Sequence, residues 1–189
     1  MYTAQRAVFL DRDGTVIEDV GYLDDCSRIK LLMGAVEAIK LLNQSGYKVI
    51  IVTNQAGVAK GYFSEEKLQE INTGLLEIMT GQGAYVDKIY YCPHHAEGTV
   101  EEYKKECSWR KPNPGMLMEA AREYDLDMAN SFMIGDKISD IVAGHRAGCR
   151  TILLTADGQT NASADAPKAD HVAPNLYDAV MSILKIDTR

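Results

Sequence analysis

The sequence predicts an α/β protein of three layers, a parallel sheet covered by helices on both faces. Short apolar runs rich in β-branched residues recur at 7–10, 49–52, 86–91, 132–134 and 151–154. Runs of this length, apolar throughout, suit strands buried on both faces. The stretches between them repeat apolar residues every three to four positions, and such strand–helix alternation argues for parallel pairing with crossover helices. At 189 residues, 46% hydrophobic and 25% charged, the chain fits one domain over 1–189 with a sizeable core.

After the first run, residues 34–45 place Ala35, Ala38, Ile39 and Leu42 on one helical face, and Gly46 is set to stop that helix in the left-handed conformation. Ser64 can cap the next helix, whose Leu68, Ile71, Leu75 and Ile78 share a stripe. Asn113-Pro114 reads as an N-cap followed by proline at the first helical position, opening a helix with Leu117, Ala120 and Tyr124 inward. A further helix carries Ile138, Ile141 and Val142 and ends near Gly148, and the tail after Asn175 reads as a last amphipathic helix. The small-residue stretch 157–170 is expected to be a mobile loop and no domain boundary.

A net charge of −7 argues against nucleic acid or an anionic membrane as partner. "MYTAQRAVFL" lacks the pattern of a signal peptide, no apolar run reaches the length of a membrane span, and four cysteines fit reduced thiols or metal ligands. A cytoplasmic monomer acting on a small molecule is the expectation.

In an open α/β sheet, ligands bind beyond the carboxyl ends of the strands. Asp11 and Asp13 follow the first run, Thr53, Asn54 and Gln55 the second, Arg110 and Lys111 close the irregular stretch after the third, and Asp136, Lys137 and Asp140 follow the fourth. These types permit phosphoryl transfer through a covalent aspartyl intermediate, with Asp11 as nucleophile and Asp13 as acid and base. Asp11 and Asp136 could hold a Mg2+ that offsets their repulsion and screens an incoming phosphate. Gly14 lets the backbone turn tightly there, and Thr53 and Lys111 would donate to the phosphoryl oxygens. Each piece has a plainer reading. Asp11-x-Asp13-Gly14 can be an Asx turn, Thr53-Asn54 a strand end, Gly135-Asp136 a helix cap and Lys111 a surface lysine. Their convergence in this order favours the site.

"DRDGT", "VTNQ", "RKP" and "GDKISD" resemble the four motifs of the haloacid dehalogenase superfamily of aspartate-nucleophile phosphatases. "FLDRDGTV", "VTNQAGVAKG", "IYYCPHH", "CSWRKPNPGM" and "MIGDKISDI" are similar, more narrowly, to the D-glycero-D-manno-heptose 1,7-bisphosphate 7-phosphatases, over essentially the whole chain. The resemblance implies a Rossmann-like, haloacid dehalogenase-like sheet without a cap domain, its access shaped by the loops at 18–28, 56–63 and 92–109. It implies catalytic Asp11, Asp13, Thr53 and Lys111, and a Mg2+ held by Asp11, the Asp13 carbonyl and Asp136. It also implies sugar-phosphate contacts at Asp19, Val20, Gly21, Tyr22, Asn54, Gln55, Ala56, Arg110 and Lys137. Arg110, whose planar fork suits bidentate anion recognition, is the candidate for the distal phosphate or sugar hydroxyls; a surface arginine paired with a glutamate is the alternative. The implied reaction removes the 7-phosphate of the heptose bisphosphate, and histidinol-phosphate hydrolysis is the competing activity. A non-catalytic binding relative would be expected to lack Asp11 or Asp13.

The resemblance further implies a structural zinc held by Cys-x-His and Cys-x-Cys. Cys92, His94 and Cys107 are in place, but Trp109 stands where the last cysteine belongs. The fourth position is left to water, to His95 or to no metal; a Cys92–Cys107 bridge and burial of Trp109 are the other ways to fold this loop. Cys26, Cys149, His145 and His171 show no partner spacing.

Overall fold

The computed structural model describes residues 4–156 and 167–187. Six strands, β1 (Ala7–Leu10), β2 (Lys48–Asn54), β3 (Lys88–Cys92), β4 (Phe132–Gly135), β5 (Arg150–Leu154) and β6 (His171–Ala173), form one parallel sheet in the order β3-β2-β1-β4-β5-β6. Their side chains alternate between two cores. On one face α1 (Ala35–Gln44), α3 (Glu65–Gly81) and α6 (Leu176–Asp187) bury Ile39, Ile71 and Ile183 with Val8, Leu10, Val49 and Ile51. On the other, α4 (Gly115–Tyr124) and α5 (Ile138–Ala147) bury Leu117 and Ala143 with Phe9, Ile50, Val52 and Met133. The three-layer α/β reading is therefore correct. Among the described residues, no helix is long and apolar enough to cross a membrane.

The chain winds outward from β1 in one direction through β2 and β3, and returns on the other side of β1 through β4, β5 and β6. Connections leaving β1 and β4 diverge to opposite faces, which opens a crevice at the carboxyl ends of these two strands. Asp11 and Asp136 follow those ends.

Several element ends agree with their sequence signals. Ser64 accepts a hydrogen bond from Lys67 N, Gly46 and Gly148 adopt φ of 76° and 82°, and α6 follows Asn175, whose Oδ1 accepts from Asp178 N. Others differ for identifiable reasons. β3 begins at Lys88 and not at Val86 because Asp87 closes off the start of β2: its N–H donates to Val49 O and its carboxylate accepts from Val49 N and Lys48 Nζ. β2 runs past Val52 to pair Thr53 and Asn54 with Tyr91 and Cys92. α4 takes Pro114 as its N-cap, with the Pro114 carbonyl accepting from Met118 N, while the Asn113 amide bonds Cys107 O; the expected Asn113 cap is corrected. β6 gives little apolar signal, because His171 and Val172 are exposed; pairing to β5 makes it a strand. Residues 157–166 of the expected small-residue loop lie outside the described residues.

Candidate active site

Asp11 stands one residue beyond β1, 4% exposed, with its N–H bonded to Ile134 O of β4. Its Oδ1 accepts from Arg12 N at 2.8 Å and lies 2.8 Å from Lys111 Nζ. Carboxylate oxygens of Asp11, Asp136 and Asp140 come within 4.8 Å of one another. Gly14 permits this crowding. Its φ is +86°, and a Cβ there would sit 2.4 Å from Asp136 Oδ2. Asp136 does not cap α5: Lys137 holds the N-cap position, and its N–H donates to Asp140 Oδ2. Among the described residues, buried Asp136 Oδ1 has no hydrogen-bond partner, and burial, with Asp11 nearby, raises the Asp136 pKa. An orphaned carboxylate oxygen beside two more carboxylates fits a hard divalent cation.

Lys111 is no surface lysine. It is 4% exposed, with Nζ 2.8 Å from Asp11 Oδ1, 2.6 Å from Asp140 Oδ1 and donating to Val52 O at 2.7 Å. Burial opposes its charge, but Asp11 and Asp140 outweigh that and raise its pKa. Asn54 clamps its backbone: Asn54 Nδ2 donates to Lys111 O, and Lys111 N donates to Asn54 Oδ1. The amide of Asn54 is thus engaged in holding Lys111, whatever else Asn54 meets. The strand-tip position of Asp140 carries no role by itself in the sequence; the second aspartate of "GDKISD", four positions after Asp136, is the signal for it. Burial and Asp11 push its pKa up, against the pull of Lys111.

Asp13, reached through Arg12, points beside Thr53. Its Oδ2 accepts from Gln55 Nε2 at 2.8 Å and Arg12 Nε at 3.1 Å, with the Thr53 hydroxyl 3.5 Å away, while Oδ1 accepts from Arg12 Nη2 at 3.2 Å. Gln55 also donates to Thr53 Oγ1. Arg12 is buried, and no local pattern in the sequence marks it.

The remaining candidates ring this centre. Lys137 Nζ lies 3.1 Å from Asp19 Oδ2 and 3.9 Å from Asp136 Oδ2, tying the 18–28 loop to the tip of β4. Partial burial would raise the Asp19 pKa, but the Gly21 N–H and Lys137 hold it below the usual carboxylate value. Val20 and Gly21 form the exposed turn of this loop. Tyr22 meets Tyr62 edge-on and accepts from Lys60 Nζ. Ala56 opens the short helix α2 (Ala56–Ala59), where a side chain on Gly57 would strike Phe63 and Tyr22. Arg110 is half-buried and donates to His94 O, so the alternative of a surface pairing with a glutamate is not what the structure shows. A cavity of about 400 Å3 beside the centre is lined by Gly14, Thr15, Asp136 and Leu154, whereas a groove of about 510 Å3 lined by Tyr90, Tyr103 and Trp109 contains none of the catalytic candidates.

Cys92, His94 and Cys107 also converge, with ligand atoms within 4.8 Å of one another. Burial pushes the Cys92 thiol up to about 12 and lowers the His94 pKa, which favours neutral imidazole. His95 Nδ1 accepts from Glu97 N. Trp109 is half-buried, packs edge-on against Tyr90 at 5.9 Å and donates its backbone N–H to Cys107 Sγ.

A HAD-hydrolase-like family model matches residues 108–179. A D-glycero-beta-D-manno-heptose-1,7-bisphosphate 7-phosphatase of Photorhabdus laumondii is 42% identical over 86% of this chain and 94% of its own length. The Pasteurella multocida protein of that name is 38% identical over 92% of this chain and 94% of its own. The crystal structure of D,D-heptose 1,7-bisphosphate phosphatase from B. bronchiseptica, complexed with magnesium and phosphate, superposes with a TM-score of 0.82 at 30% identity, covering 96% of this chain and 99% of that one. With the sheet and its carboxylate-tipped edge, these likenesses define the class: a haloacid dehalogenase-like hydrolase of phosphoric monoesters. Within that superfamily, the chain belongs to the family of the D-glycero-D-manno-heptose 1,7-bisphosphate 7-phosphatases.

Proposed function

We propose that this protein removes the 7-phosphate of D-glycero-D-manno-heptose 1,7-bisphosphate through an aspartyl-phosphate on Asp11, giving heptose 1-phosphate, as a cytoplasmic monomer. The observation that carries the chemistry is the asymmetric hold on Asp11: Oδ1 is engaged by Arg12 N and Lys111, which leaves Oδ2 as the attacking oxygen. The substrate rests on the names of the relatives.

Asp11 Oδ2 forms a bond to phosphorus as the bond to the sugar oxygen breaks, and Asp13 gives that oxygen its proton. Asp13, now a carboxylate, takes a proton from water; the water oxygen bonds to phosphorus as the bond to Asp11 Oδ2 breaks, which restores the Asp11 carboxylate and frees inorganic phosphate. Lys111 and Thr53 donate to the phosphoryl oxygens. Asp11, the Asp13 carbonyl and Asp136 would hold a Mg2+, as the orphaned Asp136 oxygen fits, and that ion would neutralise charge between the phosphate and its carboxylate attacker. Lys137, Arg110 and the loop carrying Asp19, Val20, Gly21 and Tyr22 stand ready to meet the rest of the sugar phosphate, as do Gln55 and Ala56. Cys92, His94 and Cys107 would hold a Zn2+ that orders the 92–109 loop, with a non-protein fourth ligand.

The test compares kcat/KM with Mg2+ for both anomers of the heptose bisphosphate and for histidinol phosphate. The bisphosphate is expected to lead; faster histidinol phosphate hydrolysis overturns the substrate. Acid-quenched enzyme should carry one phosphate on Asp11, absent from Asp11→Asn, and turnover by that variant overturns the mechanism.

A further inference from the structure

Arg12 lies between the two catalytic candidates and is 1% exposed, although arginine is among the residues least often buried. The turn that carries Asp11 and Asp13 does not require it, since Val16 N and Ile17 N both bond the Arg12 carbonyl, which any residue supplies. Its guanidinium is spent on two partners. Nε and Nη2 grip the Asp13 carboxylate at 3.1 and 3.2 Å, and Nη1 donates to Asn72 Oδ1 at 2.9 Å. Asn72 is itself 7% exposed, in the middle of α3, next to Ile71 at the base of the first core. The anchor of this bridge is therefore the packed scaffold and not the loop.

We propose that Arg12, braced by Asn72, is a positioning residue that aims Oδ1 of Asp13 at the leaving oxygen. The inference rests on the reading of Asp13 as acid and base and adds what directs it. A two-point grip by a planar fork fixes the plane of a carboxylate, which a single contact does not. It also makes the two oxygens unequal. Among the described residues, Oδ2 meets Arg12 Nε and Nη2, both at 3.1 Å, and Gln55 Nε2 at 2.8 Å, with Thr53 Oγ1 beyond, while Oδ1 meets Nη2 alone, at 3.2 Å. Oδ1 is thus the oxygen that carries the transferable proton. It delivers that proton to the departing alkoxide, and the carboxylate left behind recovers one from the attacking water.

Leaving-group dependence separates aim from fold. Phenyl phosphate expels a basic oxygen that needs a proton, whereas 2,4-dinitrophenyl phosphate expels one that does not. The ratio of their kcat/KM values, which report transfer to Asp11, is measured for Arg12→Lys, Asn72→Ala and Asp13→Asn. Arg12→Lys keeps the charge without the fork and is expected to lose about 10²-fold on phenyl phosphate, the lower end of an acid's contribution, and under ~3-fold on the dinitrophenyl ester. Asn72→Ala leaves Arg12 intact, serves if the Arg12 variant does not fold, and should lose about 10-fold on phenyl phosphate alone. Equal losses on both esters, or none, in these two variants overturn the proposal. If Asp13→Asn shows the selective loss while they do not, only the role of Arg12 and Asn72 falls. If Asp13→Asn itself loses equally on both, the acid reading falls and takes this inference with it.

Discussion

Replacing Lys111 by methionine keeps most of the side-chain volume and removes the buried cation on which Asp11 and Asp140 both lean. At 2.8 and 2.6 Å, each pair attracts by about 6 kcal/mol at an effective dielectric near 20, before the cost of stripping water from the ammonium is counted. That cost absorbs much of the sum, and removal of one partner from a buried pair typically destabilises by about 3–5 kcal/mol. Asp136 adds a third carboxylate within 4.8 Å, so the variant would concentrate negative charge with no ammonium to oppose it. Burial already raises the pKa of Asp140, and loss of Lys111 raises it further, so protonation of Asp140 limits the damage as pH falls. Urea unfolding of Lys111→Met should show a loss of about 3–5 kcal/mol at pH 8, shrinking towards pH 5, and kcat/KM should fall by at least ~10²-fold. A stability within about 1 kcal/mol of the parent at both pH values would refute the reasoning, since it would mean that the three-way contact stores no net interaction.

Gly14→Ala forces a Cβ to within 2.4 Å of Asp136 Oδ2 at a φ of +86°, so calorimetry should find Mg2+ affinity weakened about 10–100-fold; unchanged affinity would show that Asp136 does not depend on this approach. At Asp170, partial burial would raise the pKa, but Thr151 N at 2.7 Å, Thr151 Oγ1 at 2.9 Å and nearby His145 hold it below the usual value. The stability it confers is therefore present above about pH 4 and lost as pH drops through its lowered pKa. For this half-exposed group, Asp170→Asn should cost about 1 kcal/mol or less at pH 7 and progressively less as the solution is acidified, and a gap that stays constant into acid contradicts the account. Purified protein should contain one zinc per chain by elemental analysis, and Trp109→Cys should hold it at least ~10-fold longer against a chelator; an empty loop, or no gain, removes the three-ligand reading.

The sheet was legible because strands buried on both faces must be apolar throughout, and β1, β2, β4 and β5 announce themselves as uninterrupted runs. β6 was not, because His171 and Val172 face solvent and only a neighbour makes the segment a strand. Lys111 shows the same division at the site. Its place in "RKP" marked it, yet its burial and its partners Asp11, Asp140 and Val52 come from chain segments far apart. Asn54, expected at the sugar phosphate, holds the Lys111 backbone, a contact across 57 residues that no local pattern records.

By itself, the sequence determined the parallel α/β class, the order of the strand tips and the residue types delivered to them, since those follow from local periodicity and from what ends each apolar run. Tertiary structure alone decided which of those groups touch. Charge balance in a buried centre depends on distance and solvent exclusion, and these arise only when β1, β2, β4 and the turn before α4 are packed side by side. That is why Arg12, unremarked along the chain, and Asp140, placed at a strand tip but without a role, stand at the centre of the folded site.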